Sequence, residues 1–136
     1  MTIGQSLKEW IQEYDGFDIE PVTTDIVESL KGSYALFKSP NNVVNEEYQD
    51  GTKLRTDFFQ FYSRRSTLLD EERIDNQEEL EAFADWIEHR DFEEDYPNLG
   101  ENVKCVQIGV NSSCSILSVE EDSIIYQITI YVKYIK

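Results

Sequence analysis

The chain has 136 residues, of which 28 are acidic and 12 basic, for a net charge of −16. A surface built to grip phosphates needs clustered Lys and Arg, so this balance argues against sequence-specific nucleic-acid binding. Apolar residues at 40% and aromatics at 12% suffice for one packed core, so residues 1–136 are expected to form a single domain.

No apolar run reaches the roughly 18 residues of a membrane span. Met1–Ser6 lacks the basic-then-apolar order of a signal peptide, so a cytoplasmic chain without a membrane partner is expected. The charge has two readings: solubility, or a surface that must not hold DNA passing nearby.

Ile3, Leu7, Trp10, Ile11 and Tyr14 recur at helical spacing and predict an amphipathic helix over Ile3–Tyr14. Thr2 and Gln5 form its capping box, and Asp15-Gly16 its stop. Pro21 breaks any helix before it, so Phe17–Val22 reads as a strand or extended segment. Ser33–Lys38 reads as a strand, closed by a turn at Ser39-Pro40-Asn41-Asn42.

A hairpin follows. Val43–Tyr48 leads into Asp50-Gly51, which suits the two positive-φ positions of a type I′ turn, and Thr52–Ser63 returns. In the return strand Phe59 and Phe61 share one face, Phe58 and Tyr62 the other. One aromatic face is expected under helices and the other against a neighbouring subunit. The polar near half (Lys53, Arg55, Thr56, Asp57) is expected to project into solvent.

Ser63–Ile74 reads as a connection. Asn76 and Glu79 then make a capping box for a second helix, about Gln77–Phe92, with Leu80, Phe83, Ala84 and Ile87 buried and Trp86 at the edge. Glu78, Glu79, Glu81, Asp85 and Glu88 make its other side acidic. Tyr96, Pro97 and Leu99 predict an ordered loop. A strand over Asn102–Val110, a turn or bulge at Asn111–Ser113 and its continuation over Cys114–Val119 come next. A turn at Glu120–Ser123 joins the last strand, Ile124–Lys136.

That strand has the strongest pattern in the chain. Ile124, Tyr126, Ile128, Ile130, Val132 and Tyr134 make an unbroken apolar face, against a mixed face of Ile125, Gln127, Thr129, Tyr131, Lys133 and Ile135. It is expected inside the sheet, hairpin-paired with the strand before it. The element order predicts an α+β protein, an antiparallel β-sheet with two α-helices packed on one face.

No catalytic constellation emerges. His89 is the single histidine and has no nucleophile tied to it. Cys105 and Cys114 lack zinc-ligand spacing and read as reduced thiols. The acidic runs at Asp70–Glu72 and Glu93–Asp95 lack the spacing and glycine of a calcium loop. A non-enzyme without metal or cofactor is the expectation.

Four stretches carry a family resemblance: Leu7-Lys8-Glu9-Trp10-Ile11; Tyr48-x-Asp50-Gly51-Thr52-Lys53 feeding Phe58-Phe59-Gln60-Phe61; Phe83-Ala84-Asp85-Trp86-Ile87-Glu88 leading to Tyr96-Pro97; and Tyr126–Val132. Together they resemble the small minor capsid or tail-terminator proteins of long-tailed phages and prophages of Gram-positive bacteria. The resemblance implies a virion structural protein, assembled in the host cytoplasm and forming a ring, commonly a hexamer, at the head-proximal end of the tail tube. Its implied partners are its own copies, the tail tube protein and the head–tail connector proteins. Two other classes stay open: an acidic phage-encoded inhibitor that mimics DNA, and a small enzyme or ligand-binding domain with a deep polar pocket.

Lys53, Arg55, Arg64 and Arg65 fall within thirteen residues, whereas Asp70–Glu101 is strongly acidic. With Phe59 and Phe61, these four bases form the candidate subunit interface, one subunit's basic strand meeting the next subunit's acidic helix; the alternative is that Arg64 and Arg65 pair with acids of their own chain.

Overall fold

The computed structural model describes residues 2–14, 22–24, 34–66, 70–119 and 123–136. The elements are α1 (Ile3–Ile11), β1 (Val22–Thr24), β2 (Tyr34–Glu47), β3 (Lys53–Ser66), α2 (Asp70–Phe92), β4 (Lys104–Val119) and β5 (Ser123–Ile135). The strands form one sheet in the order β1-β2-β3-β5-β4, giving an α+β fold. All neighbours are antiparallel except the short β1, which runs parallel to β2. Among the described residues no helix is long and apolar enough to cross a membrane.

β5 lies inside the sheet, between β3 and β4, although β3 holds the middle position. Its apolar parity, Ile124 through Tyr134, is buried as the alternation requires. Pairing sets Phe59 opposite Ile130 and Phe61 opposite Ile128, so these side chains share a face. Leu7, Trp10 and Ile11 of α1 and Leu80, Phe83 and Ile87 of α2 join them in one core. Both helices therefore cover the same side of the sheet.

The capping box forms: Thr2 N–H donates to Gln5 Oε1 at 3.0 Å, and Gln5 N–H to Thr2 Oγ1 at 3.1 Å. α1 ends three residues before Tyr14, because Glu13 and Tyr14 donate to the carbonyls of Trp10 and Ile11 in a tighter final turn. α2 begins at Asp70, inside the expected connection, and Asn76 is helical interior rather than a cap. β3 likewise continues to Ser66.

Ser39–Asn42 makes no turn. β2 runs through it with a bulge, the register shifting between Lys38 and Asn42. The β2–β3 connection is also not the expected type I′ turn. Gly51 N–H donates to the Tyr48 carbonyl, Tyr48 N–H donates to the Thr52 carbonyl, and Gly51 takes the positive φ of 92°. This is a three-residue loop whose glycine supplies the left-handed position. Asn111–Ser113 is a bulged part of β4. The stop at Asp15-Gly16, the extended segment before Val22, Ser33 and the turn at Glu120–Asp122 lie outside the described residues.

Candidate functional site

The layers leave two surfaces of opposite character. Strict alternation along β3 and β5 turns Phe58, Gln60, Tyr62, Gln127, Thr129, Tyr131 and Lys133 to the side without helices. Phe37 joins them from β2, its ring edge-on to Tyr62 at 4.9 Å. These aromatics are half-buried by their neighbours alone. Polar groups on this side are tied to one another. Thr129 Oγ1 donates to Gln60 Oε1 at 2.9 Å, and Thr56 Oγ1 to Asn45 Oδ1 at 2.6 Å.

Tyr131 lies across β4. A Cβ on Gly109 would stand 2.7 Å from its hydroxyl oxygen, so the ring needs the bare glycine beneath it. Gln107 Nε2 donates to that hydroxyl at 3.1 Å. Val43, Asn45, Thr56, Phe58, Asn111, Tyr131 and Lys133 surround a hollow of about 280 Å³ on the same side. By register, the described strand residues of this face include Lys104, Lys133 and Arg64 as cations and Glu46 as the single carboxylate.

The helix side is acidic outside. Glu78, Glu79, Glu81, Asp85 and Glu88 are exposed along α2, and the helix ends on Phe92, which is 85% exposed. Beyond Phe92, Glu94 adopts φ 58° while Asp95 N–H donates to the Arg90 carbonyl, a left-handed cap with a glutamate where glycine is usual. Arg90 holds the two helices together. Its guanidinium lies 4.4 Å from the Trp10 ring and 4.8 Å from Trp86, and pairs with Glu13 at 2.7 Å and Asp95 at 2.8 Å. Asp91 fastens α2 to the outer edge of β4 by accepting from Ile108 N–H at 3.0 Å and the Tyr96 hydroxyl at 2.9 Å.

No protein-family model matches this chain, and no curated protein matches it.

The six candidate interface residues do not form one surface. Phe59 and Phe61, each 1% exposed, are core beneath the helices and cannot meet a neighbour; Phe58 and Tyr62 take the open face instead. Lys53 and Arg55 stand near one end of β3, Arg64 and Arg65 near the other. Nine residues of strand put about 30 Å between Arg55 and Arg64. Arg64 is itself buried, at 8% exposure. A base cluster in sequence is thus divided along an extended strand.

The near half of β3 does not project into solvent either. Lys53 and Lys136 exchange backbone hydrogen bonds, so β5 accompanies β3 almost to the loop. Asp57 is 1% exposed and Thr56 is buried. The Tyr134 hydroxyl donates to Asp57 Oδ2 at 3.1 Å, and Lys38 Nζ lies 3.6 Å from the same oxygen. Burial, then the Asp57 charge, pushes the Tyr134 hydroxyl up to about 12. These three groups line a hollow of about 570 Å³ between the start of α1 and the sheet, walled by Leu36, Phe59, Leu99 and Val103. Sequence reading missed this cluster. Its only signal was an aspartate on the apolar parity of a strand.

Among the described residues no group of three or more His, Cys, Asp or Glu could hold a metal ion. His89 is exposed and pairs with Glu93 at 2.9 Å. Cys105 is a free thiol, and burial pushes it up to about 12, which keeps it protonated and unreactive. The side chain of Cys114 lies outside the described ones.

Proposed function

We propose that this chain is a phage virion structural protein of the tail-terminator type. It acts by assembling with its own copies into a ring at the head-proximal end of the tail tube, ending tube growth and joining tail to head. One observation carries the assembly part. A chain of net charge −16 keeps Phe37, Phe58, Tyr62 and Tyr131 on one face of its sheet, with a single carboxylate among the described strand residues there. An antiparallel sheet with one solvated face ordinarily spreads charge over it, so a face of this kind is suited to contact with protein. The phage assignment rests on the resemblance of the four stretches, which span nearly the whole chain. The role is structural, without cofactor or catalysis, in the virion and in the host cytoplasm during assembly. Tail tube and connector proteins are its other partners.

The test is direct. Purified protein is concentrated, followed by sedimentation velocity and imaged by negative-stain electron microscopy. Closed rings of uniform size are expected. A chain that stays monomeric at the highest concentration reached, and in the presence of tail tubes, refutes the reading.

The exposed carboxylates Glu78, Glu81, Asp85 and Glu88 along α2 favour a second reading, an acidic inhibitor that mimics DNA. It predicts a monomer or dimer that a basic nucleic-acid enzyme retains and that duplex DNA displaces.

A further inference from the structure

The ring reading leaves open what covers the helix-free face. The hollow among Val43, Phe58, Thr56 and Tyr131 is about 280 Å³. That is below the usual range for a metabolite site, roughly 300–1,000 Å³, and better matched to one large side chain. Val43, Phe58 and Tyr131 give it an apolar and aromatic side, Asn45, Thr56 and Asn111 a polar one, and Lys133 contributes a cation. A complementary side chain would be a large apolar one with an acid beside it.

Phe92 is the most exposed large apolar residue described, at 85%. It is the last residue of α2. Glu88 lies one helical turn earlier on the same side and is exposed. The knob therefore carries a carboxylate at helical spacing, and the hole an ammonium. Asp91 fixes this end of α2 to the edge of β4, and the hollow opens on the helix-free face of the sheet. Phe92 is exposed in its own chain and does not line that hollow, so the hollow is left open to another copy. Each copy thus offers one knob and one hole that are not joined to each other, the arrangement that propagates around a ring.

We propose that Phe92 of one copy seats in the Val43–Phe58–Tyr131 hollow of the next, with Glu88 of the first facing Lys133 of the second. This rests on the self-assembly reading and names the contact that carries it. Buried aromatic anchors dominate such interfaces, so Phe92→Ser raises the dissociation constant by at least about 30-fold. Val43→Asp places a carboxylate in the hole and has a similar effect. Both positions are exposed, so both variants keep the parent's melting temperature.

The deciding experiment mixes them. By sedimentation velocity each variant alone is monomeric at concentrations where the parent assembles. The mixture forms a one-to-one dimer and stops, because only the intact Phe92 of one chain meets the intact hollow of the other. A mixture that stays monomeric, or a Phe92→Ser chain that assembles like the parent, overturns the inference, and in the second case the ring reading survives. A parent that never assembles overturns both. Charge exchange gives a second arm: Lys133→Glu and Glu88→Lys each weaken assembly, and the two together in one chain restore it. Failure to restore counts against the contact.

Discussion

Replacing Tyr134 by Phe tests what the buried Asp57 carboxylate needs. Its partners are the Tyr134 hydroxyl at 3.1 Å and the Lys38 ammonium at 3.6 Å. A hydrogen bond to a charged group contributes about 1.5–3 kcal/mol. The adjoining hollow of about 570 Å³ admits water, which can partly replace the hydroxyl. We therefore expect the lower part of that range, about 1.5–2 kcal/mol. Unfolding entropy of about 2.1 cal/mol/K per residue gives about 0.29 kcal/mol/K for 136 residues, so Tm falls by about 5–7 °C.

Lys38 supplies the contrast. Its side chain is 57% exposed, so Lys38→Met removes a screened pair and costs at most about 1 kcal/mol. In an Asp57→Asn background the hydroxyl meets a neutral acceptor, and the cost of Tyr134→Phe drops to about 1 kcal/mol. Denaturant melts of the single and double variants measure all three. The reasoning fails if Tyr134→Phe costs less than about 0.5 kcal/mol, or less than Lys38→Met. There is also a pH signature. The hydroxyl ordinarily titrates at 10 and is held at about 12 in the fold, so the unfolded chain loses this proton first. Its contribution is complete below pH 10 and is lost as pH rises to about 12. Tyr134→Phe should reduce the alkaline loss of stability across that window.

Gly109→Ala drives a methyl into the Tyr131 ring and should cost about 1–3 kcal/mol, falling towards zero in a Tyr131→Ala background. Glu94→Gly relieves the left-handed backbone at the end of α2 and should stabilise by about 1 kcal/mol, read as a higher Tm. Arg90→Lys loses the planar group held between Trp10 and Trp86 and the fork onto Asp95, and should cost about 2 kcal/mol. Equal stability of parent and Arg90→Lys in urea would show that the clamp contributes nothing.

The sheet was legible where one residue's environment follows from its neighbours in sequence. The alternation of β5 named its buried face in full, and the spacing of Leu80, Phe83, Ala84 and Ile87 named that of α2. Thr2 and Gln5 make their cap with each other, so no distant partner was needed. Reading failed where the deciding partner lies on another strand. Asp57 is buried because Tyr134 and Lys38 reach it from β5 and β2, and nothing local announces either. Pro40 read as a turn because proline breaks ladders. Beyond Leu36, however, β2 has no described neighbour on its outer side, so Pro40 sits where a missing donor costs little.

The interface residues show the same limit more sharply. Alternation separates Phe59 and Phe61 from Phe58 and Tyr62 but says nothing about which pair the helices take. Only the register of β5, whose apolar parity pairs with Phe59 and Phe61, decides it. The bases misled for a different reason. Proximity in sequence becomes proximity in space on a helix, where a turn spans 5.4 Å, but a strand carries nine residues about 30 Å. The charge pattern that matters is set by faces instead. Net composition describes a uniformly acidic chain, yet the carboxylates gather on the outside of α2 while Lys133 and Lys104 stand on the open sheet. Two surfaces of opposite sign on opposite sides of one subunit suit head-to-tail contact and oppose contact of like with like. If that asymmetry governs assembly, added salt should weaken it by screening the Glu88–Lys133 attraction, and not strengthen it by relieving general repulsion.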